Sequence, residues 1–293
     1  MGDRWFRSGL PVADIDGVTT RATRFRRAGV GLAAVLASLA PLGAAGVGNA
    51  AAAAPRVAAA SRVITLGQTY HIQFAGTLDR TVAADVYEVD GGDTSKAVVT
   101  ALHDRGKIVV CYISAGSWEN YRPDADKFPA SVLGRTLAGW PDERWLDIRK
   151  VHVLMPLMKA RMDLCVRKGF DAIEFDNVDG QSNRTVFPLT RAELIRYDRA
   201  LARAAHARGL QPGLKNAIGL IPELVNSFDW ALNEQCVQYS ECKPYRAFIN
   251  QGKAVFVLEY NVTVKRMCAV TQPLQLYAQK KHLSLNAWRV TCS

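Results

Sequence analysis

From residue 70 onward, short apolar runs alternate with amphipathic ones. YHIQFAG (70–76), DVYEVDG (85–91), KIVVCYISAG (107–116), ERWLDIR (143–149) and DAIEFDN (171–177) have the length and the β-branched or aromatic content of strands. So do GLQPGLKNA (209–217), DWALNEQ (229–235), KAVFVLEYN (253–261) and LSLNAWRV (283–290). Between them, residues 94–106, 150–168 and 190–208 place apolar side chains at helical spacing. Thr94 is the expected cap of the first, and Thr190 with Glu193 makes a capping-box pattern for the third. Shorter helices are expected over 221–227, 245–251 and 273–282.

Strand followed by helix, repeated over more than 200 residues, is the pattern of a parallel sheet covered by helices. An open doubly wound sheet and a (β/α)8 barrel compete for it. No Gly-rich phosphate turn follows the first strand, and polar residues recur at the strands' C-terminal ends. The expected fold is therefore α/β, a single-domain (β/α)8 TIM-type barrel over residues 62–293. One of the nine predicted strands is surplus to it.

The segment DAIEFDNVDG (171–180) is poor material for plain scaffold, because a buried strand carries Asp171, Glu174, Asp176 and Asp179. Alternation puts Glu174 and Asp176 on one face, and an unpaired buried carboxylate costs several kcal/mol, roughly. Lys215 on the next strand is the natural partner of Glu174, which reads as support more than as direct catalysis. Glu234 ends the strand DWALNE and also reaches the rim. Two facing carboxyls are the minimum equipment for glycoside hydrolysis, one to protonate the leaving oxygen and one to attack the anomeric carbon or activate water.

The other strand ends contribute Asp90, Tyr112, Ser114, Trp118 and Asp147, then Asn177, Asp179 and Asn216, and finally Glu259 and Tyr260. Acids, amides and aromatic edges suit sugars, whose hydroxyls need hydrogen bonds and whose ring faces stack. Each taken singly can equally cap a helix or satisfy a loop. Competing chemistries fit less well: a calcium loop ending at Gly180 would have Phe175 at a ligand position, and Ser114 lies in YISAG rather than G-x-S-x-G. No metal or cofactor site is expected.

The full chain has 293 residues and a formal charge of +10. Arginines 21 to 27, an Ala-rich apolar run to residue 45 and small residues beyond read as a secretory leader over 1–54, with a linker at 55–61. The long polar head before Arg21 favours a start near Val18. Pro41 and weak hydrophobicity argue against a stable membrane span. Removing the leader lowers the charge to about +7, and the remaining Lys and Arg are too scattered for nucleic acid. Six cysteines in an exported chain favour disulfides; fifteen connectivities exist, of which Cys236–Cys242, Cys268–Cys292 and Cys111–Cys165 is one natural set.

Taken together, CYISAGSWENYRPD, GFDAIEFDNVDG, GLKN, NEQC and VLEYN, in that order from about Val63 to Cys292, resemble glycoside hydrolase family 114, the endo-α-1,4-polygalactosaminidases. The resemblance implies a (β/α)8 barrel, secretion, and endo-cleavage of α-1,4-linked galactosamine in a cationic amino-sugar polymer. It places the catalytic pair on Asp176 and Glu234; Asp176 is then expected as nucleophile and Glu234 as acid/base of a retaining mechanism. Asp90, Asp124, Asp147, Asp179 and Glu259 are then expected to meet ammonium groups. The expected partner is the polysaccharide alone, with no nucleic acid, no stable membrane span and a monomeric chain. Two rivals stand beside this reading: a non-catalytic glycan-binding barrel, and a hydrolase of the same fold acting on another α-linked polymer.

Overall fold

Side chains of a strand alternate between its two faces, so a sheet covered on both sides must be apolar at nearly every position. The computed structural model, which describes residues 62–292, divides the strands in this way. The strands are β1 (Tyr70–Ile72), β2 (Val86–Asp90), β3 (Ile108–Ser114), β4 (Ser117–Glu119), β5 (Leu133–Leu137), β6 (Trp140–Leu146), β7 (Ala172–Asp176), β8 (Gln211–Lys215), β9 (Trp230–Glu234), β10 (Val255–Glu259), β11 (Tyr277–Lys281) and β12 (Arg289–Thr291). Tyr70, Val86, Val110, Ala172, Trp230 and Phe256 form one buried cluster, and their neighbours Tyr87, Val109, Ile173, Ala231 and Val257 join a second, larger one with the helices.

Nine strands make one curled sheet in the order β1-β2-β3-β7-β8-β9-β10-β11-β12, parallel except for β12. Its curl is visible inside: Tyr70 of β1 stacks on Phe256 of β10, ring centroids 4.3 Å apart. The two ends of the sheet approach each other where Gln279 of β11, the strand next to the β12 edge, donates its side-chain amide to the Tyr70 carbonyl of β1 at 3.3 Å. Outside lie α1 (Lys96–His103), α2 (Val151–Lys168) and α3 (Arg191–His206), followed by the one-turn α4 (Ile221–Leu224), α5 (Cys236–Tyr239) and α6 (Arg246–Ile249), and then α7 (Val264–Thr271). The Thr190 and Glu193 capping box opens α3. Disulfides join Cys111 to Cys165, Cys236 to Cys242 and Cys268 to Cys292.

Three expectations change. Ser95, not Thr94, caps α1, its hydroxyl accepting from the Val98 amide. The surplus strand is the one at 143–149: it belongs to β6, which pairs antiparallel with β4 and β5 in a separate three-stranded sheet inserted between β3 and α2. The predicted helix 273–282 is a strand, β11, which runs parallel to β10, while 283–290 is mostly loop before β12. Gln279 and Lys281 of β11 are buried by hydrogen bonds, so polar residues stand where an apolar run would have revealed a strand. The leader and linker expected before residue 62 lie outside the described residues.

Gly213 shows how tightly the inner layer fits. A Cβ there would lie 2.3 Å from the Trp230 ring. Gly213→Ala is expected to lose about 1–3 kcal/mol of stability through overpacking, read as a lower melting temperature; an unchanged melt would contradict this packing.

Candidate active site

Toward the C-terminal ends of β7, β8 and β9, the inner face changes from apolar to charged. Ala172 is followed on that face by Glu174 and Asp176, Gly213 by Lys215, and Trp230 and Leu232 by Glu234. The register brings β7 beside β8 and β8 beside β9, so the three strands converge on one point.

That point is the Lys215 ammonium. It donates to Glu174 Oε1 at 2.9 Å and to Asp176 Oδ1 at 3.1 Å, and lies 3.5 Å from Glu234 Oε2. Lys215 and Glu174 are buried, at 5% and 0% exposure, whereas the Asp176 and Glu234 side chains keep 21% and 26%. Burial alone pushes a lysine down; Asp176, Glu174 and Glu234 reverse this and hold Lys215 well above its ordinary value. The ammonium is therefore fixed in charge and place.

Two tyrosines complete the arrangement. The Tyr112 hydroxyl donates to Asp176 Oδ2 at 3.1 Å, and the Tyr260 hydroxyl donates to Glu234 Oε1. Phe74 packs on the Tyr112 ring, centroids 4.6 Å apart. Each charged strand end is followed by a residue in the left-handed region: Asn177 (φ 62°), Asn216 (φ 48°) and Gln235 (φ 69°). This turns the backbone sharply away from the sheet. The Asn177 amide donates to the Ser114 and Ser117 hydroxyls, at 3.1 Å each, and Asn216 Oδ1 accepts from the Glu234 backbone N–H at 2.9 Å. Gly116 allows the close approach of the Asn177 backbone, since a Cβ there would lie 1.7 Å from the Asn177 carbonyl oxygen.

Of the predicted site residues, Tyr112, Glu174, Asp176, Lys215, Glu234 and Tyr260 form this cluster, with Ser114, Asn177 and Asn216 bracing it. Asp179 stands near its edge, half-buried, with its carboxyl raised to about 6 by burial and then by the charge of Asp176. Others are committed elsewhere. Asp90 is bound bidentate by Arg122 at 2.7 and 2.8 Å, Asp147 is paired with Arg149 at 2.6 Å, and Asp124 is held by Arg161 at 2.8 Å. Trp118 packs on the outer core and donates to the Ala125 carbonyl at 2.9 Å. Glu259 shares the outer face with Val255 and Val257 and accepts from the Val237 N–H of α5 at 2.6 Å, so it faces the helix layer rather than the rim.

Some participants escaped the sequence reading. Glu143 of β6 is buried and accepts from the Ser117 hydroxyl at 2.6 Å; burial lifts its carboxyl to about 7 against that hydrogen bond, with Glu119 and Asp176 adding to the rise. Glu88 of β2 lies fully buried in the inner face below the cluster. Glu143 shares a face with the buried Trp145, an alternation that was there to be found once the segment was taken as an inserted hairpin.

A curled α/β sheet that collects two accessible carboxyls around one fixed ammonium at its C-terminal rim has the equipment of a glycoside hydrolase. The sequence profile of glycoside-hydrolase family GH114 matches residues 50–293, and the chain belongs to that family and is a glycoside hydrolase. The chain is similar to Aspergillus fumigatus Ega3, solved in complex with galactosamine, at 38% identity, covering 78% of this chain and 96% of that one with a TM-score of 0.74. The glycoside hydrolase domain of PelA from Pseudomonas aeruginosa shares the fold, at 16% identity, 76% and 98% coverage and a TM-score of 0.60. No curated protein matches the chain.

Removing the ammonium while leaving Glu174 buried strands a charge. Lys215→Met is expected to lose about 3–5 kcal/mol at neutral pH, and to regain part of it as the pH falls and Glu174 takes a proton. Denaturant unfolding at several pH values checks this; a loss that does not vary with pH would contradict it.

Proposed function

We propose that the protein is an exported glycoside hydrolase that cleaves within galactosamine-containing, α-linked polysaccharide, with Asp176 as nucleophile and Glu234 as acid/base. The observation that carries this reading is that Asp176 and Glu234, from β7 and β9, share one ammonium at 3.1 and 3.5 Å. Their nearest oxygens are then no farther apart than the sum of those distances. This suits the spacing of about 5–5.5 Å found in retaining enzymes and falls short of most of the inverting range of roughly 6.5–9.5 Å.

In this mechanism an Asp176 oxygen forms the bond to the anomeric carbon while Glu234 transfers its proton to the departing glycosidic oxygen. Glu234, now a carboxylate, takes a proton from water, whose oxygen displaces Asp176 and frees the sugar. Lys215 and Tyr112 fix the two Asp176 oxygens and Tyr260 fixes Glu234, so neither carboxyl has to be oriented as the charge moves. The curled sheet is read as a (β/α)8 barrel with this site on its C-terminal rim. The galactosamine complex of Ega3, at 38% identity, supports the amino-sugar substrate. Three disulfides support an oxidising compartment, and among the described residues no helix is long and apolar enough to cross a membrane. The secretory leader over 1–54 belongs to the same proposal.

Incubation with partially deacetylated galactosaminogalactan, beside neutral α-glucans, tests the substrate: internal cleavage of the first alone is expected. Asp176→Asn and Glu234→Gln should each lower the rate by at least a hundredfold or so with melting temperatures close to wild type. Full activity in either variant would remove that residue from the mechanism.

A further inference from the structure

Below the site, the inner face carries one acid more than the catalytic reading uses. Glu88 of β2 is 0% exposed, as is Glu174. The Tyr70 hydroxyl, itself buried, donates to Glu88 Oε2 at 2.5 Å. Glu88 Oε1 and Glu174 Oε2 are buried and receive no donor. Glu174, Asp176 and Glu234 contact the Lys215 ammonium and Glu88 is a fourth carboxyl deeper in the same layer, so full ionisation would leave several negative charges above a floor of Val86, Val110, Trp230 and Phe256.

One proton removes both orphaned oxygens and one of the excess charges. We infer that Glu88 is protonated in the folded protein and donates that proton's hydrogen bond to Glu174 Oε2, which makes Glu88 a positioning residue for Lys215. The groups facing it agree: the Tyr70 hydroxyl from β1 donates to it, the Glu174 carboxyl from β7 lies within hydrogen-bonding reach, Lys215 from β8 lies beyond Glu174, and its register neighbour on β3 is the apolar Val110. Burial pushes the Glu88 carboxyl well up, and the charge of Glu174 and the hydrogen bond to it push in the same direction. Glu174 is itself raised by burial, and the Lys215 charge and then that same bond pull it part of the way back.

The hydrogen bonds then run in one direction, from Tyr70 to Glu88 to Glu174, which accepts from Lys215 on its other oxygen. With Glu174 anchored on both sides, its Oε1 holds Lys215 at the height where the remaining ammonium hydrogens point to Asp176 and Glu234. Without the anchor, Glu174 can swing and draw the lysine down the inner face. This role rests on the assignment of Asp176 and Glu234 proposed above; the protonation of Glu88 does not.

Two variants separate the possibilities. Glu88→Gln supplies an N–H to Glu174 and a carbonyl to Tyr70, so it should rescue kcat to within about threefold of wild type, whereas Glu88→Leu should lose at least tenfold in kcat with little change in KM. Thermal melts from pH 4 to 8 give a readout independent of substrate. A carboxyl whose folded value is raised binds its proton more tightly in the folded state, so wild type loses stability as pH rises above the unfolded carboxyl value of about 4.3. Gln carries no such dependence, and the melting temperature of Glu88→Gln should overtake wild type by a margin that grows with pH. A margin that stays constant, or shrinks with rising pH, would overturn the protonated Glu88. A Glu88→Gln enzyme as slow as Glu88→Leu would overturn the positioning role. If no galactosamine polymer is cleaved at all, the catalytic assignment fails and the melts still decide the proton.

Discussion

The interaction on which this site depends is the Lys215 ammonium set among buried and half-buried acids. Below it the sheet interior is hydrocarbon and aromatic, where an isolated charge is expensive, and above it lies the rim where chemistry has to happen. The lysine makes the boundary tenable because its charge is shared between Glu174, which is sealed, and Asp176 and Glu234, which are not. Such a group gives no large net stability, because desolvation offsets attraction. What it provides is placement: three carboxyls, two from β7 and one from β9, are tied to one nitrogen on β8 between them, and little freedom is left in the two that reach the open rim.

The charge arrangement also bears on an apparent conflict in the proposed function, which pairs a chain of formal charge +10 with a cationic polymer. Asp90, Asp124 and Asp147, expected from the sequence to attract ammonium groups, are neutralised within the protein. Arg122 binds Asp90 and Glu119, Arg161 binds Asp124 and approaches Glu119, and Arg149 binds Asp147. The Arg122 and Arg161 pairs clamp β4 and the loop after it to β2 and α2, so their work is structural. Under that proposal, attraction for an amino sugar has to come from the cleft itself, where acids outnumber the lysine. Screening over a Debye length of about 8 Å lets that local field differ in sign from the protein as a whole.

Much of this was legible from the letters because alternation along a strand is rigid. Once β7 and β9 were recognised, Glu174, Asp176 and Glu234 had to share the faces they share, and Lys215 had to partner Glu174. The same rule misled at Glu259. Both faces of a parallel strand are apolar here, so VFVLE looks alike from either side and its phase is not written in its composition; the acid belongs to the face of Val255 and Val257, under α5. Glu88 was missed for a related reason, since mid-strand acids in DVYEVDG look like an exposed face until the opposite wall of the curled sheet is known. The letters of β11 do not read as a strand because its buried positions are filled by Gln279 and Lys281, whose side-chain nitrogens donate to the Tyr70 and Asn286 carbonyls outside the strand. Contacts of that range leave no local trace.

The strand ends themselves carry a further regularity. Asp176, Lys215 and Glu234 are each followed by a residue at positive φ, and in each case that residue is Asn or Gln rather than Gly. A glycine would adopt the turn more cheaply, but it would contribute no side chain. Asn177 and Asn216 instead return their amides to the site, the first to Ser114 and Ser117, the second to the Glu234 backbone. The modest backbone strain of these positions is thus coupled to hydrogen bonds that lock the preceding charged residue in register. Positioning by the sheet interior acts from below through the ammonium, and the turn residues act from above through the backbone, so Asp176 and Glu234 are oriented by the protein's own contacts.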